Sequence, residues 1–103
     1  MSTVEKIIDG LLVEWDEKKA AINKQKRGVT FEDAALVFSD RNRIERHDER
    51  HSQDDDRWQV IGMVEDVLFV VYTDRDEAAR IIMAREASPK ERREYYGSAT
   101  SYL

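Results

Sequence analysis

The feature that most constrains this chain is a run of six apolar residues, Val67–Tyr72. Successive side chains of a β-strand point to opposite faces of a sheet. A strand that is apolar at every position is therefore buried on both faces. The run predicts a central strand with two covering layers. We expect two helices on one face, and the last helix or a partner protein on the other.

The length of the chain limits how much can be built around that strand. With 103 residues, one domain with a modest core is expected. We assign residues 1–103 to that domain, with residues 1–9 as an N-terminal extension and residues 98–103 as a flexible tail. A large internal ligand chamber does not fit in such a chain, so function is expected on a surface or in a shallow groove.

The elements before the central strand are a strand and two helices. The run Gly10–Trp15 predicts a strand, and Asp16 caps a following helix that Gly28 terminates. Thr30 begins a second, amphipathic helix through a capping box in which Asp replaces the usual Glu. The apolar stripe of that helix consists of Phe31, Ala34, Ala35 and Phe38.

The second half of the chain predicts a β-meander. The charged segment Ser39–Asp56 is typical of an edge strand, a loop, or both. Arg57–Val64 and Val67–Thr73 flank an acidic tip, which is the spacing of a tight hairpin. Arg80–Glu86 adds a strand.

A closing helix follows the last strand. Ser88 is its cap, Pro89 occupies its first position, and Glu91 completes a capping box; Gly97 ends it. The complete order predicts an α+β fold: an N-terminal strand, two helices, an antiparallel meander of three to four strands, and a short C-terminal helix.

Composition excludes several classes of function. The chain has no cysteine, so disulfides, thiolate metal sites and thiol redox chemistry are excluded. It lacks an apolar stretch of about 20 residues, so we expect a cytoplasmic protein without membrane association. Phosphate-binding loops, nucleophile elbows and dinucleotide fingerprints are absent, so no cofactor and no metal is expected. The net charge of −5 neither favours nor forbids a polyanionic partner.

Arginines on predicted strands are the best candidates for a site. Arg57, Arg75, Arg80 and Arg85 lie in the hairpin and the last strand, where the backbone is rigid. Guanidinium groups bind phosphate through paired N–H donors, although salt bridges to nearby carboxylates are the alternative role. Because Arg80 and Arg85 are an odd number of residues apart, they reach one site only if a β-bulge separates them.

A sheet with fixed arginines can cleave RNA without a metal ion, because RNA carries its own nucleophile in the 2′-hydroxyl. Such an enzyme needs a base for the 2′-proton, a cation for the pentacoordinate phosphate and an acid for the leaving 5′-oxygen.

Several segments in a fixed order carry a family resemblance that spans about Val13 to Tyr96. These segments are Glu14–Ala20 with Asn23, Gly28–Ala34, His51-Ser52, Arg57-Trp58 with Gly62, Val70–Thr73, Arg80–Ala87 and Arg92-Arg93 with Tyr95. Together they resemble the BrnT toxins of bacterial type II toxin–antitoxin pairs, which are related in fold to the RelE-type ribonucleases.

The resemblance implies a ribonuclease, with or without the ribosome, that cleaves RNA without metal through 2′-hydroxyl attack and arrests translation. It implies that a ribbon-helix-helix antitoxin similar to BrnA neutralises the toxin. DNA is then bound by the antitoxin and not by the toxin itself. A free toxin exposes an apolar strip on the outer face of the meander or on an edge strand. We therefore expect either a homodimer or a heterotetramer with the antitoxin.

Catalytic roles follow from the same resemblance. Arg57 and Arg85 are expected to bind the phosphate and stabilise the transition state, with Arg80 competing for the second position. Lys26 is the next candidate. His51 is the expected proton carrier, and the alternative is a solvated loop histidine without a catalytic role.

Further residues are expected to support these groups. Arg27, Arg75 and Arg80 are expected to bind RNA, and Glu32 and Asp55 to orient the cations. Two positions depart from the family pattern: Arg27 replaces a histidine and Met83 replaces a serine. If that histidine is the family's base or acid, the activity of this protein is weaker or altered.

Two other classes of function stay open. One is a catalytically inactive RelE-like module that acts within an antitoxin and repressor complex. The other is a structural or adaptor domain that holds a metal ion with His47, His51 and Asp54–Asp56.

Overall fold

The computed structural model describes residues 2–50 and 56–100, which form an α+β fold around one six-stranded sheet. The strands are β1 (Thr3–Ile8), β2 (Leu11–Asp16), β3 (Ile44–His47), β4 (Arg57–Val64), β5 (Asp66–Arg75) and β6 (Ala78–Glu86). The helices are α1 (Glu17–Arg27), α2 (Phe31–Ala35), continued by a 3₁₀ turn (Leu36–Ser39), and α3 (Pro89–Thr100). The strand order is β1-β2-β6-β5-β4-β3.

The sheet is larger than the sequence predicts, because it has six strands in mixed orientation rather than one strand and a meander of three to four. Residues 1–9 contain a strand rather than an extension only: β1 pairs antiparallel with β2, and Val4 lies opposite Trp15. In turn, β2 pairs in parallel with β6, where Val13 lies opposite Ala79. This pairing joins segments far apart in the chain, so local sequence patterns carry no signal for it.

The central strand is confirmed. Every residue of β5 from Val67 to Thr73 is buried. Alternate residues join two apolar clusters on opposite faces of the sheet, as the uniform apolar pattern requires. The cluster beneath α1 and α2 receives Leu68, Val70 and Tyr72 from β5. The cluster beneath α3 receives Val67, Phe69 and Val71, which pack with Ile61, Ala87 and Tyr95.

Helix α1 has the predicted caps. The Asp16 carboxylate accepts a hydrogen bond from the Lys19 amide (2.9 Å), and Gly28 adopts the left-handed conformation that ends the helix (φ 75°). A buried asparagine fixes the helix to the sheet: Asn23 Nδ2 donates to the Ala84 carbonyl (2.9 Å), and its Oδ1 accepts from the Ala84 amide (3.2 Å). These bonds satisfy both polar ends of the side chain.

The second helix is shorter than its apolar stripe suggests. Thr30 caps it by accepting from the Asp33 amide (3.1 Å), as predicted. The helix ends at Ala35, and the chain tightens into the 3₁₀ turn before Phe38 is reached. Phe38 still covers the sheet, with its ring edge-on to Tyr72 at 5.0 Å.

Helix α3 begins with the predicted capping box. The Ser88 hydroxyl accepts from the Glu91 amide (3.2 Å), and the Glu91 carboxylate accepts from the Ser88 amide (2.8 Å). The helix does not end at Gly97 but continues to Thr100, so residues 98–100 of the expected tail belong to it. A glycine inside a helix costs only about 1 kcal/mol, which other interactions readily offset.

A β-bulge in β6 satisfies the condition set by the arginine spacing. Val71 of β5 lies opposite Met83, but the next residue, Tyr72, lies opposite Ile81, so Ile82 is an extra residue in β6. The extra residue shifts the alternation of side chains by one. Arg80 and Arg85 therefore lie on the same face, which is the face covered by α3.

Strand β3 is an edge strand within Ser39–Asp56, which agrees with the prediction for that segment. None of the helices within residues 2–50 and 56–100 is long and apolar enough to cross a membrane.

We predict that Gly62→Ala destabilises the protein. An added Cβ at this position would lie 3.0 Å from the Val37 Cβ and 3.2 Å from the Val37 carbonyl oxygen, and Val37 is fully buried. Overpacking of this kind costs about 1–3 kcal/mol. Denaturant unfolding measures the change in the free energy of unfolding.

Gly97→Ala is the matched control for that experiment. Its Cβ would meet no atom within 4 Å, and the residue lies inside α3. We expect it to stabilise the protein by up to about 1 kcal/mol, since alanine favours helix. Equal unfolding midpoints for the two variants would show that the 3₁₀ turn moves aside at Gly62.

Candidate active site

A groove of about 540 Å³ lies on the α3 face of the sheet. Its apolar floor consists of Phe69 and Val71 from β5 and of Ile82 and Met83 from β6, beside the bulge. Its polar lining consists of Arg46, Asp48, Arg57, Gln59, Arg85 and Glu91. Three arginines thus converge on one surface of a chain whose net charge is −5.

The strand register explains why two of these arginines share the groove. Arg57 lies opposite Thr73 in the β4–β5 ladder, and Arg85 lies opposite Phe69 in the β5–β6 ladder. Thr73 and Phe69 are separated by an even number of residues on β5, so they point to the same face. The two arginines therefore rise from the two neighbours of the central strand toward α3.

Arg85 is held from two sides. Its Nη1 and Nη2 donate to the two carboxylate oxygens of Glu91 at 2.8 and 2.9 Å. Its guanidinium carbon lies 4.1 Å from the centre of the Phe69 ring, which is a cation–π contact. Nη1 also donates to the Glu86 carbonyl at 3.1 Å. The guanidinium is therefore fixed in the groove rather than free to move in solvent.

Glu91 is a buried carboxylate, with a relative exposure of 8%. Burial raises its pKa, but the hydrogen bonds from Arg85 and from the Ser88 amide lower it by more, so the pKa lies below its ordinary value. The carboxylate is therefore ionised at neutral pH. From the sequence, Glu91 is predicted only as a capping residue, because its pairing with Arg85 depends on how α3 packs.

Arg46 is a groove residue that the sequence analysis missed. Its Nε donates to Gln59 Oε1 (3.0 Å), and its Nη1 donates to Glu94 Oε2 on α3 (2.7 Å). It lies on β3, within a charged segment where one arginine is indistinguishable from its neighbours. The only signal was the prediction that an edge strand runs through this segment.

Asp48 was also missed. It lies just after β3 in a stretch dominated by charge, yet its relative exposure is only 7%. Its amide donates to the Arg57 carbonyl (2.8 Å), which joins the end of β3 to the start of β4. Both residues line the groove, so the end of β3 and the start of β4 lie at its rim.

Asp40 helps to hold α3 in place above the sheet. Its carboxylate accepts from the Tyr95 hydroxyl (2.5 Å) and from the Met63 amide (2.8 Å). Burial raises the pKa of Asp40, but these hydrogen bonds and one from the Asn42 amide lower it by more. Burial and the Asp40 carboxylate raise the pKa of Tyr95, so its hydroxyl stays protonated. The contact fixes the helix that carries Glu91.

The other predicted arginines and lysine lie outside the groove. Arg80 shares the face but pairs with Glu14 of β2 (3.3 Å). Arg75 lies at the end of β5 and lines a separate cleft. Lys26 and Arg27 are exposed in the last turn of α1, which packs on the opposite face.

The predicted carboxylates and histidines have different outcomes. Glu32 is exposed on α2, 3.8 Å from Lys6, and does not line the groove.

His51 and Asp55 lie outside the described residues. His47 lies opposite Trp58 and contacts Asp56 at 3.3 Å, on the face away from the groove. Within residues 2–50 and 56–100, no cluster of three metal-ligating side chains is found.

Comparison with known proteins identifies the family. The protein-family model for BrnT, the ribonuclease toxin of type II toxin–antitoxin systems, matches residues 15–91. The chain belongs to the BrnT toxin family. It is therefore a ribonuclease toxin of a type II toxin–antitoxin system, with an RNA substrate and an antitoxin partner.

A solved BrnT structure supports the same assignment. The chain is similar to the crystal structure of the ribonuclease toxin BrnT from Brucella abortus, with 25% sequence identity and a TM-score of 0.54. The match covers 72% of this chain and 92% of that chain. A comparison with curated proteins gave no match. Strand β1 and α3 beyond Glu91 lie outside the residues that the BrnT family model matches.

We predict that acid weakens the contribution of Glu91 to stability. Because its folded pKa is lowered, that contribution is complete above the ordinary glutamate pKa of 4.5 and is lost as pH falls through the folded pKa. Thermal unfolding of wild type and Glu91→Gln is compared from about pH 6 to about pH 2. The difference in Tm should shrink as pH falls. A difference that stays constant over this range would contradict this assignment.

Proposed function

We propose that the groove is the active site, and that it cleaves RNA without a metal ion by attack of the 2′-hydroxyl. The observation that carries this proposal is the convergence of Arg46, Arg57 and Arg85 on one groove of a BrnT-family fold. A groove on the surface is open to an extended polymer. Forked guanidinium groups match the oxygens of a phosphodiester.

The proposed reaction transfers the phosphoryl group from the 5′-oxygen to the 2′-oxygen. The 2′-hydroxyl loses its proton as its oxygen attacks the adjacent phosphorus, the bond to the 5′-oxygen breaks, and the leaving 5′-oxygen takes up a proton, so that the products are a cyclic 2′,3′-phosphate and a 5′-hydroxyl. Charge on the pentacoordinate phosphate is stabilised by Arg85 and Arg57. Because both guanidinium groups are mounted on strands, little reorganisation is needed during the reaction.

We propose that His51 is the proton carrier of the cleavage reaction. This residue belongs to the segment that begins at Asp48 and ends at Arg57, and both of those residues line the groove. The Glu91 carboxylate is a poor base because its pKa is lowered. We propose Asp55 as an orienting carboxylate for the groove, and Glu32 as one for cations on the opposite face, where it lies 3.8 Å from Lys6. Contacts to RNA beyond the cleaved bond are proposed for Lys26, Arg27, Arg75 and Arg80.

Charge distribution supports binding at this groove. A second cleft beside the β5–β6 turn is lined by four carboxylates, Glu5, Glu14, Asp76 and Glu77, and by one arginine, Arg75. RNA is attracted more strongly to the surface with three arginines than to this cleft, where the carboxylates outnumber the single arginine. A net charge of −5 is thus compatible with a local site for a polyanion.

We propose a ribbon-helix-helix antitoxin, similar to BrnA, as the partner that neutralises the toxin in the cytoplasm and links it to DNA. Exposed apolar side chains support a protein partner. Ile7 on the edge strand β1 is 75% exposed, and Tyr96 on α3 is 51% exposed. Either a homodimer or a heterotetramer with the antitoxin would cover such surfaces.

We predict that Arg57→Ala and Arg85→Ala each lower RNA cleavage by about 10²–10³-fold, because each removes a donor aimed at the transition state. The rate is measured with purified protein and labelled RNA in the presence of a chelator, and growth arrest is measured after induction. The control is Arg93→Ala, an exposed arginine on α3, which should cleave at the wild-type rate.

Other outcomes would point elsewhere. Folded Arg57→Ala and Arg85→Ala proteins with full activity would remove both residues from the site. Loss of cleavage in the chelator would replace the metal-independent mechanism with a metal-dependent one. Absence of turnover by the wild type would favour the alternative of a RelE-like binding module that acts only within the antitoxin complex.

A further inference from the structure

One buried carboxylate joins the start of α3 to the groove. Glu91 accepts from the Ser88 amide (2.8 Å) as the third residue of a capping box, and it also receives both Nη groups of Arg85. The side chain of Glu91 is 11% exposed, whereas that of Arg85 is 30% exposed. The ion pair is therefore desolvated on the carboxylate side and open to the groove on the arginine side.

The hydrogen bonds of Arg85 occupy only part of the guanidinium. Within the described residues, they use Nη1 twice and Nη2 once. The edge formed by Nε and Nη2 still has two N–H donors. Two donors on one edge match two oxygens of a phosphate. The carboxylate therefore holds Arg85 without occupying the edge that an RNA phosphate would use.

We infer that Glu91 is a positioning residue for RNA cleavage, which orients Arg85 so that its Nε and Nη2 edge meets the scissile phosphate. This inference rests on the proposed function of the groove. Glu91 acts through Arg85 and does not touch the RNA. The Glu91 carboxylate thus has two separate roles: it completes the cap of α3, and it aligns Arg85.

A second glutamate on the same helix provides a contrast. Glu94 lies one turn after Glu91 and pairs with Arg46 at 2.7 Å. Both side chains of this pair are more exposed than their counterparts in the Arg85–Glu91 pair, with exposed fractions of 42% for Arg46 and 30% for Glu94. Exposed ion pairs contribute little and exchange readily. A phosphate can replace Glu94 at Arg46, whereas Glu91 stays on Arg85 when RNA binds.

Glu91→Gln tests the inference. Glutamine also serves in a capping box, so the start of α3 is preserved. Its amide nitrogen is a donor that faces the donor Nη2 of Arg85, so one hydrogen bond and the ionic attraction are lost. We expect kcat to fall by about 10–100-fold and KM to change by less than about threefold, because the arginine is misaligned mainly in the transition state.

Ser88→Ala separates the cap from the arginine contact. This variant removes the hydroxyl that accepts from the Glu91 amide (3.2 Å) but leaves the carboxylate on Arg85. We expect a lower Tm and a kcat close to that of wild type. An equal loss of kcat in Ser88→Ala and Glu91→Gln would overturn the inference, because the cap alone would then explain both.

Glu94→Gln removes the same charge from the same helix. We expect it to lower KM and not to lower kcat, since it releases Arg46 for RNA. A fall in kcat as large as that of Glu91→Gln would overturn the inference, because any loss of charge on α3 would then suffice.

A double-mutant cycle completes the test. If Glu91 acts through Arg85, Arg85→Ala with Glu91→Gln should be no slower than Arg85→Ala alone. Losses that multiply would overturn the inference. The two proposals fail differently: an inactive wild type overturns the proposed function and the inference with it. An active wild type with an equally active Glu91→Gln overturns the inference alone.

Discussion

The single extra residue in β6 is the constraint on which the arrangement of both faces depends. With Ile82 inserted, Ile81 and Ala84 both face the helices α1 and α2, although they are an odd number of residues apart. Arg85 consequently faces the groove. In a regular strand that kept Ile81 in the core, Arg85 would point into the apolar layer under α1, where a charged side chain without a partner is costly. The bulge thus makes a well-packed core and a polar site compatible on one strand.

The two faces of the sheet then have different roles. The face beneath α1 and α2 holds the larger apolar cluster, and Asn23 connects α1 to the backbone of β6 through two buried hydrogen bonds with Ala84. The opposite face has one helix, and the buried residues that pack with it lie around Tyr95 and Ala87. The groove is the part of this face where polar strand side chains surround an apolar floor and α3 contributes Glu91. Stability is concentrated on one face, so the other can carry arginines.

Local signals in the sequence predicted the elements, and long-range pairing decided the rest. Caps such as Asp16 and Gly28 depend on neighbours within one helical turn, so they were readable and are confirmed. The parallel pairing of β2 with β6 joins distant segments and was not predicted. At the site, Arg57 and Arg85 were predicted and lie in the groove, but Arg46 and Asp48 were not. Their position depends on where an edge strand docks, and a charged segment does not encode this.

The acidic partners of the groove arginines do not oppose the phosphate binding that we propose for this site. An arginine without a partner in the groove would sample many rotamers, and ordering it on RNA would cost conformational entropy of up to about 2 kcal/mol. A buried carboxylate such as Glu91 removes that cost before RNA arrives, since the guanidinium of Arg85 is already fixed against Phe69. The more exposed pair of Arg46 with Glu94 holds its arginine less firmly and is open to exchange with a phosphate oxygen. A groove in which one arginine is fixed and another is exchangeable can align the scissile phosphate at one point while the neighbouring backbone adapts.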